Sequence, residues 1–211
     1  MPNVTMYFDF ISPYAYLAFK EINRDMNKKI DFSYQPVLFS GLLNHYGQLG
    51  PAEIQYKREW TFLQALWEGK EAGIPIRLPV SHPFNPLSLL RLAIAETGTG
   101  KATKETCDQI FEFVWNRGID VSDVNEFNEL KNSITTKLDI NDPIVKDKLR
   151  SNTEEAIANH VYGVPSFQYN DKIFWGNDSL KMLESYVDGD PWIDQNWSKP
   201  DNVTVGIRRK K

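Results

Sequence analysis

Phe8-Asp9-Phe10-Ile11-Ser12-Pro13-Tyr14-Ala15-Tyr16-Leu17 is the stretch that decides how this chain is read. Upstream of it, Val4 to Phe10 is an apolar run (Met6, Tyr7, Phe8, Phe10) of the length of a buried strand. Downstream, Tyr14 to Asn27 spaces Ala15, Leu17, Ala18 and Ile22 along one face of a helix. Ser12-Pro13 stands at the junction. A serine oxygen can accept from the unpaired N–H groups of a first helical turn, and proline, which has no N–H to leave unpaired, fits that turn. Ile30 to Leu38 then alternates Ile30, Phe32 and Tyr34 with polar residues, as a second strand does. The opening is therefore β-α-β, a unit that makes parallel strands through a right-handed crossover.

Beyond it the period turns helical for more than a hundred residues. Pro51 to Gly73 carries Ile54, Trp60, Leu63 and Trp67 at helical spacing. Pro86 to Thr97 is apolar nearly all round (Leu87, Leu89, Leu90, Leu92, Ile94), which calls for deep burial. Thr103 to Trp115 sets Cys107, Ile110, Phe111 and Val114 on one stripe, and Val121 to Leu138 and Pro143 to Asn159 also read as helices. Asn85-Pro86 and Asp142-Pro143 are helix starts, a side-chain acceptor followed by proline. After Gly163 the strand signal returns: Ser166 to Tyr169 and Lys172 to Trp175 flank Asn170-Asp171, a tight hairpin turn. Asp178 to Val187 closes as a helix, and residues 189–211 read as an irregular tail packed on the body.

The composition is that of an ordinary globular protein. With 41% hydrophobic residues in 211, the chain can bury one sizeable core or two lobes that share one. A net charge of −4 offers no general attraction to nucleic acid or anionic membrane. The single basic run, Arg208-Arg209-Lys210-Lys211, reads as a solvated tail. Nothing approaches the ~18 apolar residues of a membrane span, and no leader precedes the first strand, so a cytoplasmic location is expected. Cys107 is the only cysteine, so no intrachain disulfide can form, and its place on an apolar stripe makes it core. His45, His82 and His160 are scattered, without metal-ligand spacing, and no metal is expected.

Three segments now stand in order around the helical stretch: Tyr7-Phe8-Asp9-Phe10-x-Ser12-Pro13-Tyr14, Gly163-Val164-Pro165-Ser166-Phe167 and Phe174-Trp175-Gly176-Asn177-Asp178. Together they resemble 2-hydroxychromene-2-carboxylate isomerases, glutathione-dependent relatives of kappa-class glutathione transferases and of DsbA. The resemblance runs to about Asp188. It implies an α/β, thioredoxin-like fold with a large all-helical insertion between the β-α-β and β-β-α halves. Residues 1–38 and 160–188 would form the thioredoxin-like domain and 39–159 the insertion. Redox members of that fold carry two cysteines around a dipeptide at the first helix. Here those four positions read Ser12-Pro13-Tyr14-Ala15, so disulfide exchange at this point is excluded.

The resemblance also implies a cofactor, glutathione, and roles for its residues. Ser12 would stabilise the glutathione thiolate, helped by the positive end of the helix dipole. Val164, before a cis Pro165, would offer a backbone edge to the tripeptide. Trp175, Gly176, Asn177 and Asp178 would hold its γ-glutamyl end. Lys57, which matches a lysine common in such proteins, would take a substrate carboxylate, with neighbouring Arg58 as the alternative; Asn85 and Pro86 would face the substrate. The reaction implied is cis/trans isomerisation of an aromatic or conjugated keto acid in aromatic catabolism, by a homodimer. A glutathione transferase or peroxidase of broad specificity is the first alternative, and a non-catalytic thioredoxin-fold binding protein the second.

Overall fold

The computed structural model describes residues 1–207. Four strands form one mixed sheet in the order β2-β1-β3-β4: β1 Asn3–Phe8, β2 Asp31–Pro36, β3 Ser166–Tyr169 and β4 Lys172–Trp175. β1 runs parallel to β2, with Asn3 opposite Asp31 and Phe8 opposite Pro36. On its other side it pairs antiparallel with β3, Met6 opposite Phe167. The two ends of the chain thus meet at the sheet centre. Being central, β1 is buried on both faces, which explains its consecutive apolar residues Met6, Tyr7 and Phe8. Val4, Met6 and Phe8 enter the main core, while Tyr7 enters a second cluster with Val37, Leu42, Ala156, Val161 and Val164. The expected hairpin is present, with Asn170 in the left-handed region (φ 55°) that asparagine tolerates.

α1 (Pro13–Glu21) connects β1 to β2, and its last residues pass into a wider turn, Ile22–Met26. The segment between β2 and β3 is helical: α2 Phe39–Tyr46, α3 Gln55–Ala72, α4 Leu87–Thr97, α5 Lys104–Phe111, α6 Val124–Ser133 and α7 Pro143–Ala158. α4 is as buried as its composition requires, with Leu89, Leu90, Leu92 and Ile94 fully covered. Cys107, Ile110, Phe111 and Val114 all face the core. Phe111 packs against Phe8 and Phe10, with ring centroids 5.6 and 4.8 Å away. α7 is tied to the sheet by buried Asn152, whose Nδ2 donates to Pro36 O at 2.9 Å and to Gly100 O at 2.6 Å.

Several expectations are corrected. α2 was not foreseen; it buries Leu42 and Leu43 and ends at Gly47, φ 62°. The helix expected over Pro51–Gly73 starts only at Gln55, because Ile54 is extended after a single 3-10 turn at Pro51–Glu53. The helix expected over Val121–Leu138 shrinks to α6. Asp120 draws Ser122 into a local turn, and Asp123 then caps the helix by accepting from Asn125 and Glu126 N–H. The segment after Asp188 is not wholly irregular: α8 (Leu180–Val187) is followed by α9 (Pro191–Asn196). Asp190 caps α9, Ile193 is buried, and Lys172 on β4 bridges to Asp194 at 2.9 Å. Arg208 to Lys211 lies outside the described residues.

Wholly buried Trp115 joins the helical segment to the loop after β1, its Nε1–H donating to Phe10 O at 2.8 Å. Trp115→Phe keeps an aromatic ring there but leaves that carbonyl without its donor. It should lower the unfolding free energy by about 1–3 kcal/mol, read from urea denaturation.

Candidate active site

Ser12 sits where β1 turns into α1, buried to 7% exposure. Its backbone is extended (φ −93°, ψ 119°), its Oγ accepts from Ala15 N–H at 3.2 Å, and Pro13 takes the first helical position. The same hydroxyl donates to Val164 O at 3.3 Å, and the Val164–Pro165 bond is cis. Ser12 is therefore both a cap and a contact to the proline-preceding edge. Pro13 has no N–H, and Ala15 and Tyr16 N–H are taken by Ser12, so Tyr14 N–H has no acceptor among the described residues. Val164 N–H has none either. One hydroxyl and two free N–H groups thus converge around the positive end of α1.

Ser12 and Val164 open onto a cavity of about 600 Å³, a size common for small-molecule sites. Its walls come from the β1–α1 loop, α2 and the loop after it, the first turns of α3, and the segment 82–87. Most of the lining is apolar, including Leu38, Leu43, Phe62 and Phe84. Among the described residues, Arg58 is the only lysine or arginine on it. Asn85 and Pro86 line it as expected from sequence. Asn85 also accepts from Leu87 N–H at 3.0 Å, starting α4. Lys57 is exposed and absent from the lining, whereas Arg58, one residue on, is half-buried in the wall. Helical geometry separates them: Arg58 shares the inward row with Phe62, Ala65 and Gly69, and Lys57 lies about 100° away around the helix.

Trp175, Gly176, Asn177 and Asp178 are not on the cavity wall but adjoin the same turn. Gly176 N–H donates to Pro165 O at 2.9 Å, and its φ of 92° suits only glycine. The Trp175 ring covers Gly163 closely enough to leave no room for a Cβ there, and it packs edge-on to Tyr162. Asn177 Nδ2 donates to Glu21 Oε1 at 3.3 Å and reaches Glu68 Oε2 at 3.5 Å, while its Oδ1 is buried without a partner among the described residues. Burial holds the Glu21 carboxyl above its ordinary pKa. Tyr14, between the cavity and this corner, is pushed up to about 12 by burial and by the charges of Glu68 and Asp178, so its hydroxyl stays protonated.

Two further residues had no assigned part in the sequence reading. Asp9 is fully buried, with Oδ1 accepting from Ile11 N–H at 3.1 Å and Oδ2 from Phe39 N–H at 2.9 Å. It ties the Ser12 loop to the start of α2. Burial without a cation raises its pKa to about 7, although the two N–H donors oppose the shift. His82 reaches Ile11 O from Nε2 at 2.8 Å, so Nε2 must carry the proton. Its ring meets Phe62, Phe84 and Trp115, and its buried Nδ1 has no partner among the described residues. Desolvation therefore lowers its pKa, and it is neutral. For Asp9 the available signal was a carboxylate inside an apolar strand motif; His82 carried none.

The family model for DSBA-like thioredoxin domains matches residues 3–188. The chain belongs to that family. Among curated DsbA-like relatives, 2-hydroxychromene-2-carboxylate isomerase of Sphingobium xenophagum is 26% identical over 194 residues, covering 87% of this chain and 97% of the relative. Glutathione S-transferase kappa 2 of Caenorhabditis elegans is 27% identical over 221 residues, covering 89% and 93%. A solved 2-hydroxychromene-2-carboxylate isomerase superposes with a TM-score of 0.72 at 20% identity, covering 96% of this chain and all of that one. That structure supports the DsbA-like fold. The chain is thus similar both to proteins named as isomerases and to one named as a kappa glutathione transferase.

The buried Asp9 makes stability depend on pH. Its pKa is higher folded than unfolded, so its contribution is full below the ordinary carboxylate range and is lost as pH rises to about 7. The gap amounts to about 4 kcal/mol. In the difference between wild-type and Asp9→Asn unfolding free energies, wild type should lose ground between about pH 4 and 7 and then level off. A flat difference would refute the assignment.

Proposed function

We propose that this protein is a glutathione-dependent cis/trans isomerase of conjugated keto acids, of the kind that 2-hydroxychromene-2-carboxylate isomerase represents. The observation that carries the reading is the Ser12 Oγ–Val164 O contact beside a cis proline and an apolar cavity. It brings an ionising position and a peptide-binding edge together. Bound glutathione would supply a thiolate that adds reversibly to the conjugated double bond, letting it rotate.

The tripeptide fits what the residues offer. Val164, with an unpaired N–H, accepts its backbone as an added strand. Asn177 Oδ1, buried without a donor, takes the γ-glutamyl ammonium, with Glu21, Glu68 and Asp178 supplying negative charge nearby. Gly176 allows close approach. Trp175 closes that side. Ser12 swings its hydroxyl proton from Val164 O to the sulfur. With Tyr14 N–H and the dipole of α1, it lowers a thiol pKa of ~8.5 by about one to two units, raising the ionised fraction at neutral pH from a few per cent to about a quarter or more.

On the cavity side Arg58 takes the substrate carboxylate, in place of the Lys57 expected from sequence. Asn85 and Tyr14 hydroxyl are the donors for oxygen charge that develops in the reaction. The second reading is a kappa-like transferase with the same thiolate site, favoured by the 27% identical relative of that name. Glutathione is left unconsumed by an isomerase and is depleted in step with product by a transferase.

Two measurements test this reading. Ser12→Ala should raise the pKa of bound glutathione by about one unit or more, read as the loss of thiolate ultraviolet absorbance near neutrality. An unchanged titration would remove serine from the mechanism. Arg58→Gln should raise KM for an anionic substrate about 10- to 100-fold. Lys57→Gln should leave KM within about twofold. The opposite ranking would return the carboxylate to Lys57.

A further inference from the structure

The peptide unit between Ile11 and Ser12 is held at both of its polar ends. Ser12 N–H donates to Asp9 O at 3.1 Å, and Ile11 O accepts from His82 Nε2–H at 2.8 Å. A peptide unit is planar, so fixing its N–H and C=O fixes its plane. With Ser12 φ at −93°, that plane sets the direction in which the Cα–Cβ bond leaves the chain. The margin is small. Ser12 Oγ lies 3.3 Å from Val164 O, near the outer limit of a hydrogen bond, so a modest tilt carries the hydroxyl out of reach. Trp115 ties Phe10 O, one peptide earlier, and cannot replace the His82 contact.

An imidazole is a costly donor for this task. Its second nitrogen, Nδ1, is buried without a partner among the described residues, which asks for something that only a ring supplies. The ring supplies wall. It meets Phe62 and Phe84 edge-on, with centroids 5.0 and 5.8 Å away, and all three residues line the cavity. Burial and the Arg58 charge both disfavour a second proton on this ring, so the neutral tautomer that Ile11 O selects persists.

We propose that His82 is a positioning residue with two separable parts. Its Nε2–H holds the Ile11–Ser12 peptide so that the serine hydroxyl faces the glutathione sulfur. Its ring completes the wall that selects an aromatic second substrate. The first part rests on the glutathione reading above.

Two substitutions separate the parts. His82→Gln keeps an N–H donor at similar reach and removes the ring, whereas His82→Phe keeps a ring and removes the donor. Thiolate absorbance of bound glutathione, titrated against pH, reads the first part. His82→Phe should raise that pKa by about half a unit or more, a roughly threefold loss in ionisation constant, and His82→Gln should hold it within about 0.2 unit of wild type. His82→Leu, which lacks the donor and cannot overfill the space, should act as His82→Phe does. Calorimetric binding of hydrocinnamate reads the second part without turnover, since this aromatic acid has no conjugated double bond for a thiolate to attack. Its dissociation constant should rise about 3- to 10-fold in His82→Gln and stay within about twofold in His82→Phe. A merely structural role would move both readouts together, in step with the thermal midpoint. A thiol pKa unchanged without the donor, or moved equally by Gln and Phe, overturns the proposal, as does hydrocinnamate binding indifferent to His82→Gln. A wild type with no thiolate band overturns the glutathione reading itself and this proposal with it, a result distinct from any variant's.

Discussion

The hydrogen bond from Ser12 Oγ to Val164 O is the contact on which the site depends, and it spans 152 residues of sequence. It exists because β1 pairs with β2 on one side and with β3 on the other, so that the first turn of α1 and the loop before β3 arrive at the same edge. Sheet pairing does the long-range work and the serine reports that it has succeeded. A slip of one residue between β1 and β3 would turn Met6 and Phe167 out of the core and carry the hydroxyl from its carbonyl.

The helical segment serves that junction rather than standing apart from it. Trp115 holds Phe10 O, His82 holds Ile11 O, and Asp9 reaches from the loop to the first N–H of α2. Three consecutive residues before Ser12 are thus each fastened by a different element. A loop tied at every residue has little freedom to lose when a ligand binds, which is how a short polar group can be kept aimed at one atom.

How much of this could be read in the sequence follows from the range of the signals. The strand and hairpin boundaries at Ser166–Tyr169 and Lys172–Trp175 were legible because alternation and turn chemistry are local. So was the helix start at Ser12-Pro13. Asp190-Pro191 is the same signal as Asp142-Pro143, and the tryptophans around it hid a helix that could have been found. The facing of α3 could not be read from pattern. Apart from Phe62, its large apolar residues look outward and its small ones inward, because Gly69 lets the backbone approach α1 and the loop after α3: a Cβ there would lie 2.9 Å from Ile74 O and 3.5 Å from Leu17 Cδ2. Hydrophobic periodicity finds a stripe but not what covers it. For the same reason Lys57 and Arg58, adjacent in sequence, were separated only by coordinates.

Cys107 has a consequence for how such a protein lives with thiols. It is the only cysteine in the chain, wholly enclosed on α5, and its pKa is raised well above the ordinary thiol value by burial. An exposed cysteine is open to exchange with any disulfide in solution, at a rate set by its access and its thiolate fraction. This chain presents none within its folded surface. With its one thiol enclosed, the folded chain offers an external disulfide no sulfur to exchange with.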